Sequence, residues 1–165
     1  MTHCCCLCLY LKIIHRDLKS LNIFLDTDFT AKVGDFGVSR ELGTHTMTSI
    51  GTAAWMAPET LREERYSEKA DVWAFGVITW EMVTREVPFD GVSPLAIVSM
   101  VAHQGRRLPL PSYIPAKIRD LLSSCFQDNA EARPTMAEIL ATLTGLDPIA
   151  LDEEYARLAS SWRPS

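Results

Sequence analysis

The sequence predicts a mainly α-helical domain with one short β-hairpin near its start. Three observations carry that expectation. Residues 70–83 hold ten apolar side chains out of fourteen, placed nearly all round a helix. Further on, apolar residues recur at i, i+3, i+4 and i+7 between recognisable helix caps. Ahead of both, two short apolar runs flank a polar turn. A length of 165 residues suits one domain with a sizeable core.

The chain opens on an atypical segment, residues 1–12, in which Cys4, Cys5, Cys6 and Cys8 crowd together. Five cysteines in all, four of them nearly adjacent, make a poor disulfide framework. Free thiols in a reducing cytosol are expected, and hence a cytoplasmic location. Neighbouring cysteines do not converge easily on one tetrahedral ion, and no second CxxC or HxxxH follows His3, so a metal site is not expected there. The segment lacks a basic flank and a small-residue cleavage site, which argues against a signal peptide. No run reaches the roughly 18 apolar residues of a membrane span. Sixteen basic against twenty-one acidic residues give a net charge of −5, which offers no basic face to a nucleic acid. With 47% hydrophobic and 22% charged residues, collagen, low-complexity and disordered classes are excluded.

Ile23-Phe24-Leu25 and Ala31-Lys32-Val33 are predicted strands, with turn chemistry in Asp26-Thr27-Asp28. Residues 38–56 lack a period and predict a long loop, a length that usually goes with function or mobility. From Ser67 the pattern turns helical. Val72, Trp73, Phe75, Val77, Ile78, Trp80, Met82 and Val83 surround the axis, so the helix is expected at the centre of the domain. Asp71 and Glu81 interrupt it. Ser93-Pro94 caps and opens the next helix, with Ile97, Val98 and Val101 inward. Pro115 opens another, with Ile118, Leu121, Leu122 and Cys125 on its inner face. Thr135-Met136-Ala137-Glu138 is a capping box; Met136, Ile139, Leu140 and Leu143 make that helix's stripe and Gly145 ends it. Residues 149–159 predict a last amphipathic helix.

His15-Arg16-Asp17-Leu18-Lys19-Ser20-Leu21-Asn22 fits H-R-D-L-x-x-x-N. Asp35-Phe36-Gly37 begins eighteen residues after Asp17, and Ala57-Pro58-Glu59 ends twenty-four residues after Asp35. Each triplet alone is weak; three in this order, with loop and hairpin between them, are specific. The chain resembles the C-terminal lobe of a eukaryotic protein kinase from about Ile13 to about Gly145, some four-fifths of its length. The likeness sets out an atypical segment at 1–12, the lobe at 13–146 and a C-terminal tail at 147–165. Lys19 and Thr52 look like serine/threonine rather than tyrosine specificity, and His15-Arg16-Asp17-Leu18-Lys19-Ser20-Leu21-Asn22 with Trp55-Met56-Ala57-Pro58-Glu59 is most similar to the tyrosine-kinase-like group of serine/threonine kinases.

The resemblance implies ATP and Mg²⁺ as cofactors and a serine or threonine hydroxyl of a protein as acceptor. Asp35 is the implied carboxylate ligand of magnesium, and Asn22 the implied amide ligand of a second ion. Asp17 would orient the acceptor hydroxyl and take its proton, and Lys19 would meet the γ-phosphate. Phe24 lies where the family places the floor of the adenine site; the plainer reading is a buried strand residue, and both can hold. Thr52 is expected on the catalytic aspartate. Arg16 is expected to pair with a phosphate placed on Thr44, Thr46, Thr48 or Ser49 by an upstream kinase. Glu59 and Arg133 are the implied buried ion pair, Asp71 the acceptor for the His15–Arg16 backbone, and His15 and Phe36 stacked neighbours.

Within the 165 residues no Gly-rich loop, strand lysine or helix glutamate of an N-terminal lobe can be found. The lone chain is therefore expected to bind ATP weakly at most and not to turn over. Phe24 and the helix tail that could lie in residues 4–12 are expected to present apolar surface to water. Two further expectations are a regulatory module that binds partners through residues 93–125, and a truncated gene product.

Overall fold

The computed structural model describes residues 14–36, 52–65 and 67–162. The Cys4–Cys8 cluster and Thr44, Thr46, Thr48 and Ser49 lie outside them. The hairpin pairs β1 (Ile23–Leu25) with β2 (Ala31–Val33) antiparallel, Phe24 opposite Lys32. Its turn is set by Asp26, whose carboxylate accepts from the backbone N–H groups of Asp28 and Thr30. The α-helices of the described residues are α1 (Pro58–Leu61), α2 (Lys69–Thr84), α3 (Pro94–Val98) running into a π turn (Ser99–His103), α4 (Ala116–Cys125), α5 (Met136–Thr144) and α6 (Pro148–Ser161), with short 3-10 turns at Ser20–Asn22, Ala53–Trp55 and Ala130–Ala132.

Helix α2 is central, as its all-round apolar composition requires. One side puts Trp73, Val77 and Trp80 against Ile97, Val101, Ile114, Leu122 and Phe126. The other packs Val72 against Leu121, Cys125 and Ile139. Burying each large aliphatic side chain here stabilises the lobe by about 1.5–3 kcal/mol. The all-round pattern ends one turn early: Met82 is 63% exposed, because the core partners stop at Trp80 and Val83. Arg85 then closes the helix in the left-handed conformation (φ 59°).

The caps follow the sequence. Ser93 accepts from Ala96 N–H, and Thr135 and Glu138 form the reciprocal capping box. Two expectations for α5 are corrected. Leu140 is 52% exposed, since the helix meets the core on a stripe narrower than its apolar face. Gly145 does end the helix, but in a right-handed conformation (φ −84°), its N–H bonded to Ala141 and Leu143 carbonyls.

Candidate functional site

The loop before β1 is held from beneath by α2. Asp71, one turn into that helix, accepts from His15 N–H (2.7 Å) and Arg16 N–H (3.1 Å). Arg16 is thereby kept at φ 70°, a strained conformation for a residue with a side chain. Burial, the larger influence, pushes the Asp71 carboxyl above the usual aspartate range, and the two N–H bonds offset it only in part.

Asp17 follows this clamp. Its Oδ2 accepts from Lys19 Nζ at 2.7 Å and from Asn22 Nδ2 at 3.3 Å. Asn22 Nδ2 also donates to the Asp17 carbonyl (2.8 Å), so the amide's two donors are spent and its oxygen is left over. Lys19 further donates to Thr52 Oγ1 at 3.3 Å. Thr52 thus reaches the aspartate through the lysine: the ammonium sits between the two oxygens and satisfies both.

Asp35 is joined to this group through the backbone. Gly34 N–H donates to the Asn22 carbonyl (2.9 Å), and the Gly34 carbonyl accepts from His15 Nε2 (2.9 Å). Asp35 then takes φ 60° and is exposed, its carboxylate bonded to no described residue. Phe36 lies 4.7 Å from the His15 ring, tilted by 58°, on the far side of that turn. Phe24 covers Gly34 so closely that a Cβ there would stand 2.7 Å from its Cε2. The ring is 56% exposed, as expected of a residue that normally faces the other lobe and unlike a buried strand residue, because a two-stranded hairpin offers no second layer to cover it.

Two supports came out differently from the reading of residues alone. Glu59 and Arg133 form a buried bidentate pair, both contacts 2.7 Å, as the resemblance implied. Lys69, not singled out in the sequence, is buried beside them, its ammonium on the Arg133 carbonyl. Glu81, read only as an interruption, joins two segments: it accepts from Ser20 Oγ (3.0 Å) and Trp55 Nε1 (2.8 Å). The available signal was a carboxylate in an apolar helix, which needs partners to be tolerated.

The donor set fits a hard cation held largely by phosphate and water. It offers one amide oxygen and one unpaired carboxylate, and among the described residues no cluster of three or more His, Cys, Asp or Glu forms an all-protein cage. The chain belongs to the protein tyrosine and serine/threonine kinase family, whose pattern matches residues 4–143. It is 44% identical over 142 residues to "Probable serine/threonine-protein kinase drkB" of Dictyostelium discoideum, covering 86% of this chain and 21% of the relative. It is 41% identical over 157 residues to mitogen-activated protein kinase kinase kinase 12 of Rattus norvegicus, covering 92% and 18%. The chain spans about a fifth of the length of these curated relatives. Among the described residues no helix is long and apolar enough to cross a membrane.

Proposed function

We propose that the Asp17 loop and the Asp35 turn form the phosphoryl-transfer floor of a serine/threonine protein kinase that uses Mg-ATP. The observation that carries this is the Thr52–Lys19–Asp17–Asn22 chain of contacts beside an unpaired Asp35. Asn22 Oδ1 and the Asp35 carboxylate would hold magnesium, which neutralises charge on the phosphates when bound. Asp17 Oδ2 is already occupied by Lys19 and Asn22, so Oδ1 is the oxygen that orients the acceptor hydroxyl and takes its proton. Lys19 spends two N–H bonds on Asp17 and Thr52 and keeps its third for a γ-phosphate oxygen. The Phe24 ring, seated on Gly34, gives adenine an apolar floor.

Serine and threonine hydroxyls of proteins as acceptors, rather than the tyrosine phenol, are supported by the Lys19–Thr52 contact and by the names of the relatives. An upstream kinase acting on Thr44, Thr46, Thr48 or Ser49, with Arg16 receiving the phosphate, belongs to the same reading. So does a cytoplasmic location, which suits a buried free thiol at Cys125.

Taken alone, the 165 residues bind Mg-ATP weakly and do not turn over, since transfer by positioning tolerates little looseness. Calorimetric titration with Mg-ATP, beside a phosphorylation assay on a generic protein substrate, tests both parts. Weak, magnesium-dependent binding lost in Asp35→Ala, without transfer, is expected. Binding unchanged in Asp35→Ala and Asn22→Ala would overturn the site. Transfer abolished by Asp17→Ala would uphold the site and overturn the inactivity of the isolated chain.

A further inference from the structure

We infer that α6 is a built-in strap: a helical ligand of the lobe's own base, held by few contacts and poised to open before the body unfolds. The family pattern ends at residue 143, ahead of this helix. The helix is nonetheless well started, with Pro148 in its first turn and the Asp147 carboxylate accepting from Ile149 and Ala150 N–H.

Its attachment is specific. Leu151, Tyr155 and Leu158, at i, i+4 and i+7, lie half-buried against the main core. Tyr155 Oη donates to the Val83 carbonyl (3.0 Å), in the last turn of α2. Glu154 Oε1 accepts from Ala116 N–H (3.2 Å), in the first turn of α4. Both partners are end groups that a helix cannot satisfy internally, so α6 caps two other helices at once. Tyr113 adds edge-on contacts to Tyr155 (6.3 Å) and Trp162 (4.8 Å).

The attachment is also thin. No residue of α6 is fully buried, and a cleft of about 320 Å³ remains among α2, α4 and α6. A helix of 14 residues is marginal by itself in water, so α6 persists because it is docked. Opening it returns the Val83 carbonyl and the Ala116 N–H to water and leaves the α2 and α4 cores intact. The uncovered groove then accepts an amphipathic helix of the same spacing with a Glu-Tyr pair, and the strap itself is the occupant the contacts select.

Hydrogen exchange on the full chain tests this. Amides 151–158 should exchange more slowly than in the free peptide and faster than those of α2. Tyr155→Phe should speed them about fivefold, the worth of one net hydrogen bond, without altering α2. A labelled peptide of residues 147–162 should bind a Leu151→Asp, Leu158→Asp chain at least about tenfold more tightly than wild type, whose tethered strap competes at high effective concentration. Unprotected exchange of α6 in wild type, or exchange only together with α2, overturns the inference. So does peptide binding that is equal in both chains or absent from both. The exchange measurement on wild type stands if the double variant does not fold.

Discussion

Two carboxylates set into an apolar helix do the most positioning for their size. Asp71 holds the turn before Asp17 from below, and Glu81 ties Ser20 and Trp55 to the same helix three turns on. Each is tolerated because its oxygens are matched by donors. Asp71 has a pH signature. Burial raises its carboxyl above the ordinary value of 3.8, so the native state keeps this proton to higher pH than the unfolded chain. The contribution is fully present below 3.8 and is lost as pH rises through the raised native value. Asp71→Asn should therefore flatten the fall of stability with rising pH in that window, read as urea midpoints against pH. An unchanged slope would show that another group titrates there. Asp71 was legible as a partner for the His15–Arg16 backbone because its place relative to the loop comes with the motif. The partners of Glu81 were not, since Ser20 and Trp55 lie 61 and 26 residues away in sequence.

At the level of elements, the crossing of α2 and α4 decides how closely the core can pack. Gly76 makes that approach possible: a Cβ there would stand 2.8 Å from Cys125 Cβ and 2.9 Å from Phe126 Cε1. Gly76→Ala improves helix propensity by about 1 kcal/mol, yet it forces two packed helices apart. The net result should be destabilisation by about 1–3 kcal/mol, visible as a lowered denaturation midpoint. A neutral or stabilising outcome would mean the crossing is looser than its contacts. The same packing isolates Cys125, whose thiol burial pushes up to about 11 and makes unreactive. The elements themselves were readable, because caps and apolar periods are local signals. Leu140 and Met82 were misplaced because a period gives the apolar face, not how much of it a neighbour covers.

Across the whole molecule, the helical body exposes large apolar side chains singly, as at Met82, Leu95, Leu140 and Ile149, whereas the hairpin end gathers several in one short stretch. The helical body hides Val72, Val77, Trp80, Ile114 and Leu122 almost completely. The hairpin end leaves Leu21, Phe24, Leu25 and Phe29 at 72%, 56%, 64% and 83% exposure. A cluster of that size on one end favours association with another surface. The isolated chain should self-associate with concentration, measured by sedimentation. Leu25→Lys with Phe29→Lys should reduce this while leaving the melting temperature nearly unchanged, since neither side chain is in the core. Association undiminished by the pair would place the sticky surface elsewhere.

The helical class, the hairpin, the caps and the chemical identities of Asp17, Lys19, Asn22 and Asp35 were determined by the amino-acid order, because each rests on local propensity or on a short motif. Folding in three dimensions decided which oxygens remain unspent, that Thr52 meets Asp17 only through Lys19, that Glu81 joins two segments, and that the last helix straps the base. Those outcomes depend on distances between residues far apart along the chain, and only packing sets such distances.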